Sequence, residues 1–185
     1  MENYFGCWNK KLMDNKFYSI KNNSGLELAE MERLLGNFMP FSKKRMGYDQ
    51  PVNITFETDE RNGGDMLGKT AYYNPDDMSV TIFTDYRHPK DMMRSLSHEL
   101  VHHTQNCRGE FNKEMNVGEG YAQKDEHLRK MEEEAYLVGN MCFRDWEDTY
   151  KHDMATNYTN VNSLVTEKRE RIFCALKNQI IKENK

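Results

Sequence analysis

In this chain of 185 residues the spacing of two histidines constrains the fold most. His98 and His102 stand four apart within Ser97-His98-Glu99-Leu100-Val101-His102-His103. On an α-helix residues four apart lie on one face, so both imidazoles can reach one metal ion. Zn²⁺ takes imidazole nitrogen readily, and a catalytic site keeps three protein ligands plus an open position for water. Glu99, one residue past the first histidine, is rotated to the flank of that face. There its carboxylate is placed to take the proton of a metal-bound water, as a general base. Pro89 suits a first helical turn and Asp91 complements its positive end, so a helix is predicted over residues 89–106. Met93, Leu96, Leu100 and Thr104 recur at helical spacing and are expected to face the core.

Composition narrows the class. A chain of this length can bury a real core, and one domain over residues 1–185 is expected. A net charge of −4 gives no basis for nucleic-acid binding. Charged residues make up 30% and apolar residues 37%, a polar chain but not a disordered one. No apolar run reaches the length of a membrane span, and the opening Met-Glu-Asn-Tyr-Phe-Gly does not read as a signal peptide. Cys7, Cys107, Cys142 and Cys174 are scattered, with no Cys-x-x-Cys, and read as reduced thiols. A cytoplasmic-type location is therefore expected. The thirteen methionines are read as adaptable core filler.

Residues 1–22 read as an irregular or partly helical lead-in. Leu26, Leu28, Ala29, Met31, Leu34, Leu35 and Phe38 form an amphipathic helix predicted to stop before Pro40. Lys43-Lys44-Arg45 is expected in a solvated loop. Val52, Ile54 and Phe56 alternate in a strand over residues 51–58, and residues 59–64 read as a loop. Residues 69–74 and 78–84, joined by Pro75-Asp76-Asp77, read as a β-hairpin. Residues 107–124 read as a glycine-bearing loop over the site. Helices are predicted over residues 125–150 and 162–181, broken at Asn157-Tyr158-Thr159-Asn160.

A third ligand is needed. A histidine six residues after His102, with glycine three residues after, would supply one, but Gln105 and Arg108 hold those places. The downstream helix offers Glu132-Glu133-Glu134. Glu134 shares a face with Met131 and Val138, which is read as the inward side. Glu134 is thus the expected ligand, Glu133 the second choice and His127 the rival. His103 points off the metal face and reads as a residue behind the ligands or on the surface.

With Glu134 in that place, His98-Glu99-x-x-His102…Glu134 resembles the gluzincin clan of zinc metallopeptidases. In thermolysin-like enzymes an edge strand of the form Ala-aromatic-aromatic-Asn, a turn and a second strand precede the zinc helix. Ala71-Tyr72-Tyr73-Asn74, Pro75-Asp76-Asp77 and residues 78–84 stand here in that order. The match spans about residues 70–135. It implies an α+β, zincin-like fold: a small mixed or antiparallel sheet packed on the zinc helix and the glutamate helix, with added terminal helices. It also implies peptide-bond hydrolysis of a peptide or protein substrate, with Glu99 as general base and one zinc ion per chain. By the same resemblance Thr70, Ala71 and Tyr72 hold the substrate extended along the strand edge.

Two positions depart from the clan. An aspartate often follows the third ligand by four residues and orients a histidine, and Val138 stands there, so another group must do so. A tyrosine and a histidine usually bind the oxyanion. Tyr121 is the first choice among Tyr121, Tyr136, Tyr150, His127 and His152. The alternative class is a zinc-stabilised structural or binding protein, such as a virion or assembly component. Cys107 would then close the metal shell, although such a site has no use for Glu99.

Overall fold

Val52, Ile54 and Phe56 are fully buried, and the residues between them face the other way. That alternation belongs to β2 (Val52–Glu57), an inner strand of a four-stranded sheet. The computed structural model describes residues 17–65, 68–111 and 125–183. The other strands are β1 (Tyr18–Asn22), β3 (Ala71–Asn74) and β4 (Ser79–Phe83), and the order across the sheet is β1-β2-β4-β3. β1 and β4 run parallel to β2, and β3 closes an antiparallel hairpin onto β4. The register sets Ile54 beside Val80 and Phe56 beside Ile82, four fully buried side chains on one face. The architecture is a mixed sheet with helices, an α+β fold.

The helices are α1 (Ala29–Met46), the short α2 (Glu60–Gly64), α3 (Pro89–Cys107) and α4 (Glu126–Glu183). α3 packs on β3, β4 and α1. It opens at Pro89, and the His88 ring accepts the Lys90 N–H as a cap. Met93, Leu96, Leu100 and Thr104 are buried along it.

Several expectations change. Residues 18–22 are a strand, not part of an irregular lead-in. α1 runs through Pro40 and ends at a left-handed Gly47. Proline inside a helix costs about 3 kcal/mol. Leu35, Phe38, Met39 and Ser42 are fully buried on both sides of it, and each large apolar side chain contributes about 1.5–3 kcal/mol. Burial outweighs the lost hydrogen bond. Lys43, Lys44 and Arg45 therefore occupy the last turn of α1, where they complement its negative end. Residues 60–64 form a helix capped by Asp59, whose side chain accepts the Arg61 and Asn62 N–H groups. The break expected at residues 157–160 is absent. Asn and Thr cost a helix only a few tenths of a kcal/mol, and Thr159 returns its hydroxyl to the Ala155 carbonyl.

The chain divides into two compact units, Met1–Arg144 and Asp145–Lys185. The first holds the sheet, α1 to α3 and the opening of α4. The second is helical and carries i,i+4 pairs such as Lys151–Glu147 and Arg171–Glu167. Among the described residues no helix is long and apolar enough to cross a membrane.

Candidate metal centre

α3 sets His98 and His102 side by side, with their Nε2 atoms 3.2 Å apart. The carboxylate facing both comes from Glu132. One oxygen lies 3.4 Å from His98 Nε2 and the other 3.5 Å from His102 Nε2. His98, His102 and Glu132 thus form a group close enough to hold a metal ion.

Glu134, the expected third ligand, lies elsewhere. Arg108 donates to both of its oxygens, at 3.0 and 2.7 Å, and Gln105 donates to one at 2.9 Å. The reason is the true centre of the inward stripe of α4. Leu128, Met131, Ala135, Gly139 and Cys142 are its buried residues between Glu126 and Cys142. On a wheel of about 100° per residue, Glu132 sits about 60° from the middle of that stripe and Glu134 about 100° on the other side. Met131 and Val138, which pointed to Glu134, mark one border of the stripe.

Gly139 explains why the helices meet there. A Cβ at that position would lie 3.0 Å from His98 Cα and 3.1 Å from the Ser97 carbonyl oxygen. Ser97 Oγ donates to the Gly139 carbonyl at 2.8 Å. The two backbones touch, and two turns earlier on α4 Glu132 meets the imidazoles. A glycine in phase with Leu128, Ala135 and Cys142 was the available signal for this crossing.

Glu99 is only 8% exposed. Burial pushes its carboxyl up to about 7; His98 opposes the shift, the Glu132 charge adds to it, and the Tyr73 backbone N–H, which Glu99 accepts, opposes it. Burial also holds His102 below the usual imidazole range. Its Nδ1 lies 2.8 Å from Gln105 Oε1, so the orienting group is Gln105. His103 is fully buried and not on the surface. It contacts the Tyr73 hydroxyl at 3.1 Å and the Gln50 carbonyl at 3.0 Å.

The group opens on a cleft of about 980 Å³. Thr70, Ala71 and Tyr72 line it from β3, an edge strand of the sheet. Phe83 donates to the Thr70 carbonyl, and Tyr72 stands opposite Thr81. Antiparallel alternation turns the backbone groups of Ala71 and Tyr73 away from β4. Tyr73 is directed inward by its hydroxyl, which accepts from Asn106 at 2.8 Å, while Tyr72 is exposed. Tyr136 also lines the cleft, its ring 4.7 Å from that of His98. It stands four residues after Glu132, the place of the orienting aspartate in the clan.

Tyr121 is outside the described residues. Glu133 is exposed, and His127 Nε2 contacts the Glu110 carbonyl at 3.1 Å. Cys107 is a free thiol 3.8 Å from His103 Nε2. His152 and Tyr150 belong to the second unit. Comparison with models of known families, with curated proteins and with solved structures gave no match to this chain.

Proposed function

We propose that the cleft hydrolyses peptide bonds, with one zinc ion on His98, His102 and Glu132 and with Glu99 as general base. One observation carries this reading: the buried Glu99 carboxyl flanks two imidazole nitrogens 3.2 Å apart and a carboxylate with one oxygen 3.4 Å from His98 Nε2 and the other 3.5 Å from His102 Nε2. One ligand atom from each of the three residues lies within 4.8 Å of the others, and two imidazoles with one carboxylate are a donor set that zinc takes. Bound there, zinc would acidify a water and polarise a carbonyl. Glu99 would hold the water proton and release it to the leaving amine. The outward backbone groups of Ala71 offer an extended peptide a partner, with Tyr72 beside it.

A zinc site kept only for stability would be closed by a fourth side chain. Among the described residues none joins the three, and Cys107 is turned to His103. The test is Glu99→Gln, which keeps the shape but cannot take a proton. It is expected to bind zinc as wild type does and to lose about 10²–10⁴-fold in hydrolysis of a peptide library. Equal cleavage by the two proteins would remove Glu99 from the mechanism.

A further inference from the structure

Gln105 is fully buried between α3 and α4, and its orientation is fixed from behind. Its amide nitrogen has two hydrogens and two partners, the Met131 carbonyl at 2.9 Å and Glu134 Oε2 at 2.9 Å. Both partners only accept. Turned over, the amide would set its oxygen against both of them and its NH₂ against His102. So Oε1 must face His102 Nδ1, and at 2.8 Å it can only accept from an N–H there. Glu134 is held in turn by both terminal guanidinium nitrogens of Arg108, and Arg108 Nε donates to Glu110 at 2.6 Å.

We propose that Arg108, Glu134 and Gln105 form a positioning relay that fixes His102 as its Nδ1–H tautomer and leaves the Nε2 lone pair facing His98 and Glu132. Two atoms that only accept, His102 Nε2 and Glu132 Oε1, then face each other at 3.5 Å. A bound cation relieves that arrangement. Glu134 is a positioning residue acting through Gln105, not a ligand. The effect on metal affinity rests on the metal-site reading above; the tautomer does not.

The experiment uses the full chain labelled with ¹⁵N. Proton–nitrogen correlation of the histidine rings in metal-free protein should show His102 protonated on Nδ1. Free imidazole side chains favour the Nε2–H form, and Gln105→Leu should return His102 to it. Its zinc dissociation constant should rise about 10–100-fold, the usual cost of losing an orienting partner. Glu134→Ala should also weaken zinc binding. Glu134→Gln should keep both the tautomer and the affinity, because an amide oxygen still accepts from Gln105. That rescue separates the relay from a plain ion pair with Arg108, which Glu134→Gln breaks. Should Gln105→Leu not fold, the two Glu134 variants carry the comparison. An Nε2–H tautomer in wild type, or Glu134→Gln as weak as Glu134→Ala, would overturn the relay. A wild-type chain showing the Nδ1–H tautomer but binding no zinc would support the relay and overturn the metal site instead.

Discussion

His102 and His103 are neighbours on α3, about 100° apart around it, and they belong to different regions. His102 lies on the cleft flank, with Nδ1 on Gln105 and Nε2 turned to His98 and Glu132. His103 lies on the core flank and has both nitrogens engaged, Nε2 on the Gln50 carbonyl and Nδ1 on the Tyr73 hydroxyl. Tyr48 and Tyr73 pack edge-on against its ring. The same side chain is a donor set for a metal on one flank and a structural clasp on the other. Burial does not tell them apart, since it holds both below the usual imidazole range. The second nitrogen does. His103 donates from Nε2 to a backbone carbonyl and accepts the Tyr73 hydroxyl at Nδ1, whereas His102 Nε2 meets only His98 Nε2 and Glu132, groups that can themselves bind a metal.

The largest expected effect is a crossed result at this pair. His102→Ala should lose stoichiometric zinc while the chain still folds. His103→Ala should keep the ligands but lose about 3 kcal/mol of stability, because it empties a buried site and strands the Gln50 carbonyl and Tyr73 hydroxyl. Elemental analysis beside urea melts in chelator reads both. Zinc lost equally in the two variants would erase the distinction between the flanks.

A second pair repeats the contrast on α4. Glu132→Ala should abolish tight zinc binding, whereas Glu134→Gln should keep it. Zinc titration decides, and the opposite ranking would restore Glu134 as the ligand.

These two pairs also show what was legible in the sequence. His98, Glu99 and His102 share one helix, so their relation is fixed by 3.6 residues per turn and can be read from spacing alone. Glu132 joins them only because α4 crosses α3 at Gly139, a relation between helices that no local period encodes. The same holds for Gln105 and Arg108, whose roles depend on what α4 brings to them. In the sheet, β2 was legible because Val52, Ile54 and Phe56 alternate into the core. β1 was not, since none of Tyr18–Asn22 is fully buried. Pro40 was a sound stop signal, overridden by apolar burial on both sides of it.

The next effect concerns pH on the cleft flank. Burial lifts the Glu99 carboxyl from 4.5 to about 7, so the folded metal-free chain binds that proton more tightly than the unfolded chain does. Stability from this group is present below about pH 4.5, falls as pH rises, and is gone above about 7. The whole effect is on the order of 3 kcal/mol. His102 has the opposite sign. The fold lowers its pKa, so its contribution is present above 6.5 and is lost as pH falls. Subtracting one protein from another isolates Glu99. Measured in chelator, Glu99→Gln should gain on wild type from pH 5 to about pH 7 and then level off. A difference flat across that range would mean that the carboxyl titrates as an ordinary one.

The smallest expected effect tests the crossing itself. Gly139→Ala places a methyl 3.0 Å from His98 Cα and 3.1 Å from both His98 N and the Ser97 carbonyl oxygen. All three are backbone atoms, so no side chain can swing aside, and the helices must separate by a few tenths of an ångström. Alanine favours a helix interior over glycine by about 1 kcal/mol, while overpacking a tight contact costs about 1–3 kcal/mol. The clash wins narrowly, and the chain should fold with about 1 kcal/mol less stability. The larger consequence falls on the cleft flank, because Glu132 rides on the displaced helix while His98 and His102 stay on α3. Zinc affinity should drop about tenfold, a change of about 1.4 kcal/mol in binding. On the core flank, Tyr48 and Tyr73 come from neither helix, so the ring resonances of His103 should hardly move while those of His98 and His102 shift. Equal shifts at all three histidines would mean that α3 itself had moved, and that the approach at Gly139 is not what brings Glu132 to the imidazoles.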